Sequence, residues 1–60
     1  MNNENKLSTI TALRAYNALR LSADKMLRAI ATTETGDVRD ALLTAYSETK
    51  KAADELEAYI

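Results

Sequence analysis

The residues that usually carry chemistry are thinly spread through this sequence, and two of the most versatile are missing. There is no His and no Cys. Imidazole acid–base catalysis, thiolate nucleophiles, disulfides and zinc or haem ligation are therefore excluded together. Ser8, Ser22 and Ser47 have no histidine to activate them. Paired carboxylates occur as Asp37 with Asp40 and as Asp54 with Glu57. Three-residue spacing puts each pair on one outward helix face, where water solvates both members. No Asp-rich loop has the ligand spacing that Mg²⁺ or Ca²⁺ requires. A phosphate-cradling loop needs several glycines, and Gly36 is the one glycine present. Catalysis further needs a concave site that excludes water, which two helices do not enclose. No catalytic residue, metal ligand or cofactor is expected, and the chain is read as non-enzymatic.

What remains is a set of cations and apolar side chains, and their spacing defines the elements that must hold them. With no Pro, Trp or Phe, and with Ala, Leu, Glu, Lys, Arg and Thr dominating, the composition favours long helices. In the first half Ala12, Tyr16, Leu19, Ala23, Met26 and Ile30 recur at alternating intervals of four and three. In the second half Val38, Leu42, Ala45, Thr49, Ala52, Leu56 and Tyr59 do the same. This is a coiled-coil seam. Thr32-Thr33-Glu34-Thr35-Gly36-Asp37 interrupts it. Gly36 is suited to close a helix in the left-handed conformation, and Asp37 to cap the next one. Asp40 then complements the positive end of the second helix dipole. The sequence predicts a single all-α domain over residues 1–60, with helix 1 at about 6–33, a turn at 34–36 and helix 2 at about 37–59.

So short a turn makes the helices antiparallel. Folding about residues 34–35 sets Ile30 against Val38 and Met26 against Leu42. Ala23 then faces Ala45 and Tyr46, Leu19 faces Thr49, Tyr16 faces Ala52 and Ala53, and Ala12 faces Leu56. Large residues fall opposite small ones, as close packing requires. Charge is also divided. Residues 1–31 carry five cations against Glu4 and Asp24, a balance of +3; residues 32–60 carry three against seven carboxylates, a balance of −4. Two antiparallel helices of opposite sign attract each other.

One seam does not use all the apolar surface. Sixty residues bury too little area to be comfortably stable alone, and with neither disulfide nor metal available, oligomerisation is the remaining staple. Leu13, Arg20 and Leu27 on helix 1 line up with Tyr46, Ala53 and Ile60 on helix 2 as a strip beside the seam. Strip against strip, two hairpins would form a homodimeric four-helix bundle or a higher oligomer. At mid-strip, Arg20 is expected to form an ion pair, with Glu48 within reach. Opposite the seam, helix 1 carries Leu7, Arg14, Leu21 and Arg28 at seven-residue intervals, flanked by Ile10, Asn17, Ala18 and Lys25. This ridge reads first as a docking surface for another protein, with Leu7, Ile10 and Leu21 as anchors and Arg14, Lys25 and Arg28 as orienting charges. A further oligomer contact is the second reading. A phosphate-binding stripe including Lys6, for nucleic acid or an anionic nucleotide, is the third. It ranks below the others because four cations are few and no exposed aromatic platform accompanies them.

In length, turn position, seam and small–large alternation, this pattern resembles the Rop-type plasmid copy-number regulators, dimers of helical hairpins that bind paired RNA loops. The resemblance implies an RNA-binding face on helix 1. It extends to no aligned residue motif, and no Phe is present to serve such a face. No apolar run approaches the roughly 18 residues of a membrane span, and residues 1–6 lack the form of a secretory signal. A cytoplasmic protein without membrane contact is expected. The resulting functional expectation is a small non-catalytic regulator, adaptor or inhibitor, of a size suited to a phage or plasmid product, with Rop-like RNA or nucleotide binding as the alternative.

Overall fold

The computed structural model describes residues 2–60, with side chains from residue 7 onward. Lys6 and Glu4 thus lie outside the described side chains. Helix α1 spans Asn2–Thr32 and helix α2 spans Asp37–Glu57, and the two pack against each other as a hairpin. Among the described residues there is no strand. The result is a rod of 50 × 14 × 11 Å, one helix pair in cross-section.

The seam is built mostly from alanine. Ala12, Ala23, Ile30 and Ala53 are the buried apolar residues. Small side chains allow two helix axes to approach closely, and the larger neighbours Tyr16, Leu19, Met26, Leu42, Tyr46 and Leu56 flank the alanines half-buried. Thr49 lies among them, its Oγ1 donating to Met26 Sδ at 3.8 Å. Thr49 thus reaches a residue one heptad away from Leu19, its expected neighbour. Helical side chains lean toward their own N-terminus, so tips meet across antiparallel helices at positions offset from their Cα partners.

Three local expectations are corrected. Helix α2 ends at Glu57 because the chain tightens: the amides of Ala58, Tyr59 and Ile60 donate to Glu55, Leu56 and Glu57 respectively, each three residues back. That turn has about three residues rather than 3.6, which swings Tyr59 out of the seam to 69% exposure. Val38, placed in the seam by its spacing, is 67% exposed. Helix α1 has already ended at Thr32, and the half-buried residue of the first α2 turn is Arg39. Its guanidinium donates to the Thr33 carbonyl at 3.3 Å, setting a cation at the negative end of the α1 dipole. Asp37 is not the cap of α2, because Gly36 occupies that position and no side chain bonds to the free amides. Asp37 and Asp40 remain in the first turn, where their charge suits the dipole.

Threonines close α1 instead of a glycine. Thr32 Oγ1 donates to the carbonyls of Arg28 and Ala29, and Thr33 Oγ1 donates to Ala29 at 2.6 Å. These hydroxyls supply donors to the Ala29 carbonyl, one of the last four of the helix, which has no intrahelical partner. Gly36 comes later, with φ 141° and ψ −171°, a region essentially restricted to glycine. A Cβ there would meet nothing within 4 Å, so the constraint is the backbone angle and not crowding. Gly36→Ala is expected to cost about 1–3 kcal/mol in thermal or urea unfolding, while a D-alanine introduced there by chemical synthesis, for which the same angles are ordinary extended backbone, should restore stability.

Candidate interaction surfaces

Helix α1 is about ten residues longer than α2, roughly 15 Å of rise, and overhangs it at the open end of the hairpin. The ridge starts on that overhang. Leu7 is 63% and Leu21 57% exposed; Ile10, Arg14, Lys25 and Arg28 are also exposed. Ile10, Arg14, Leu21, Lys25 and Arg28 share the side of α1 turned away from α2, because Ala12, Ala23 and Ile30 occupy the opposite side, whereas Leu7 also borders a groove with Leu56 and Tyr59 of α2. All six ridge residues are thus on the surface. Among the described residues, Arg14, Lys25 and Arg28 make no hydrogen bond through their side chains.

The strip beside the seam divides. Leu13, Leu27 and Ile60 are exposed, as is Arg20, and Tyr46 is half-buried. Ala53 is 2% exposed and belongs to the hairpin's own core, so it is withdrawn from the oligomer face. Sequence spacing put it one position outside the seam, but a methyl group leaves room for α1 to roll over it. Leu43, absent from the expected strip, is an exposed large apolar residue on α2. It precedes Tyr46 by three residues and so stands beside it on the helix. Its signal was present in the sequence as an apolar position unclaimed by the seam.

Arg20 does not pair with Glu48. Its Nη1 donates to Tyr16 Oη at 2.8 Å, and Tyr16 Oη donates to Glu57 Oε2 at 3.3 Å. The guanidinium carbon lies 5.7 Å from the Tyr16 ring centroid, within cation–π range. Hydrogen bonding to Tyr16 raises the Arg20 pKa above its ordinary value, with the charges of Asp24 and Glu57 adding to the effect. This relay links α1 to α2 at the surface. It also pulls the Arg20 head toward the open end of the hairpin and away from mid-strip.

An open apolar groove of about 410 Å³ lies at the overhang, lined by Leu7, Ser8, Thr11, Ala12, Ala15, Leu56 and Tyr59. Apart from the hydroxyls of Ser8, Thr11 and Tyr59, its side chains are apolar. Among the described residues, no cluster of carboxylates is placed to hold a metal ion, and no helix is long and apolar enough to cross a membrane. No protein-family model matches the sequence, and no curated protein or solved structure is significantly similar to it.

The buried alanine and the surface relay differ sharply in their contribution to stability. Ala53→Leu should destabilise the hairpin by about 1–3 kcal/mol through overpacking. Tyr16→Phe, which removes both hydrogen bonds of the exposed relay, should cost less than about 1 kcal/mol. Urea titrations followed by circular dichroism measure both.

Proposed function

We propose that this chain is a non-catalytic binding protein that assembles into a homodimeric four-helix bundle and engages another protein through the α1 ridge. The observation that carries the first part is surface area. A compact folded monomer of 6.6 kDa exposes about 3,900 Å² by the usual size scaling, whereas the hairpin exposes 4871 Å². The excess, about 1,000 Å² per chain, is comparable to the roughly 800 Å² each partner buries in a standard stable interface. Leu13, Leu27, Leu43 and the half-buried Tyr46 lie where a second hairpin would cover them. Closing that face removes large apolar side chains from water, which the alanine seam alone does not do.

Such a dimer leaves the ridge uncovered, because the ridge lies on the side of α1 opposite the seam. Leu7, Ile10 and Leu21 supply apolar anchors there, and Arg14, Lys25 and Arg28 supply charges that suit an acidic partner. Helix-in-groove binding uses anchors at this kind of interval. The reading is of a small adaptor, regulator or inhibitor acting in stoichiometric complexes.

Two measurements test it. Sedimentation at micromolar concentration should return about twice the 6.6 kDa chain mass, and Leu13→Glu with Leu27→Glu should return a monomer. A fully helical monomer from the unaltered chain would remove the bundle. Arg14→Glu with Arg28→Glu should weaken capture of the native protein partner at least tenfold, about 1.4 kcal/mol, without changing the oligomeric state. Retention instead of RNA, lost steeply as salt rises, would replace the protein-binding reading with a nucleic-acid one.

A further inference from the structure

Resting on the proposed dimer, a more specific statement concerns how the second copy is seated. We infer that the two hairpins pack antiparallel, the turn of each lying toward the open end of the other, about a two-fold axis at the level of Arg20 and Glu48. Leu13 then meets Leu27 of the partner subunit, and Arg39 meets Glu57 of the partner subunit.

Two independent patterns place that axis. A two-fold axis across paired strips in this orientation sets α1 against α1 and α2 against α2, each pair antiparallel. On α1, the exposed apolar residues Leu13 and Leu27 stand seven positions either side of Arg20. On α2, the cation Arg39 and the anion Glu57 stand nine positions either side of Glu48. Residues 20 and 48 are opposite each other when the chain folds about its turn, to within a residue or so. The apolar pattern of one helix and the charge pattern of the other therefore select the same height on the rod. Asp54, one turn before Glu57, adds to the negative charge that Arg39 would meet.

The opposite orientation, with both turns at one end, sets α1 against α2 of the partner. With residues 20 and 48 at one height, it would bring Leu13 level with Glu55 of the partner subunit, Leu27 level with Ala41 of the partner subunit and Arg39 level with Ala29 of the partner subunit. Neither leucine then meets a large apolar side chain, and Arg39 meets no carboxylate. The antiparallel form has one apparent liability, two Arg20 side chains meeting at the axis. The relay removes it: each guanidinium is drawn to its own Tyr16 hydroxyl, and through that to Glu57. The two heads are thus pulled along the rod in opposite directions. The surface each chain exposes beyond the compact-monomer value, about 1,000 Å², is of the size that a standard interface covers on each partner.

The chain contains no cysteine, so Thr35→Cys in the exposed turn accepts a single nitroxide label. Electron–electron dipolar spectroscopy on the labelled full chain reads the distance between the two turns. The antiparallel dimer predicts about 45 Å, twice the rise of fifteen helical residues. A main distance near 10 Å, the spacing of packed helices, would overturn the orientation while leaving the dimer intact. Any other main distance in a dimer would overturn the axis position. No dipolar signal together with a monomer in sedimentation would overturn the dimer and its geometry together. As a second arm, Arg39→Glu should weaken association about tenfold, since two Arg39–Glu57 pairs change from attraction to repulsion, and adding Glu57→Arg should restore it. Failure of the second change to restore association would remove the Arg39–Glu57 pairing.

Discussion

The close approach permitted by Ala12, Ala23 and Ala53 is the constraint on which the rest of the molecule depends. Alanine at the crossing brings two helix backbones together and leaves room for nothing else between them. Most of the larger side chains then lie along the edges of the contact. Leu19, Met26, Leu42 and Leu56 are consequently half-buried, and among the described residues Ile30 is the one large side chain that joins the alanines in the buried core. A seam of leucines would have hidden more area within one chain but held the helices farther apart. Tight contact and incomplete burial are two aspects of one choice of residue.

The ends of the hairpin are managed by polar atoms. Thr32, Thr33 and Arg39 occupy carbonyls at the end of α1, while Gly36 reverses the chain through an angle that side chains resist. At the other end, the tightened turn at residues 58–60 stops α2 and releases Tyr59. That release leaves Tyr59 on the wall of the open groove. The apolar residues that sequence spacing assigned to the seam's two extremities, Val38 and Tyr59, are the ones that end effects expose. In the middle, where helix geometry is regular, the seam follows the spacing.

Much of the fold was legible because heptad spacing survives in both halves and one glycine interrupts it. The α1 seam from Ala12 to Ile30 and the central α2 seam from Leu42 to Leu56 follow directly from that periodicity. What periodicity does not encode is the rotation of each helix within a contact whose central residues are mostly small. Ala53 could move inward because its methyl group offers no obstacle, whereas Leu13 and Leu27 on the matching side of α1 could not. The sequence places Arg20 within reach of Glu48 across the hairpin, yet the Tyr16 hydroxyl lies on its own helix one turn away, and local geometry prevails over a longer reach. The ridge was legible as a surface because two leucines and two arginines repeat every seven residues; the chemistry that covers it is not written in that repeat.

The shape described by the helix pair has a hydrodynamic consequence. At 50 Å long and little more than a helix pair across, the hairpin drags far more water through rotation and translation than a sphere of equal mass. Anything that lies along its flank thickens the particle without lengthening it, so friction per unit mass falls as mass rises. Lateral association therefore leaves a signature distinct from end-to-end growth, legible in tumbling times before any contact is resolved.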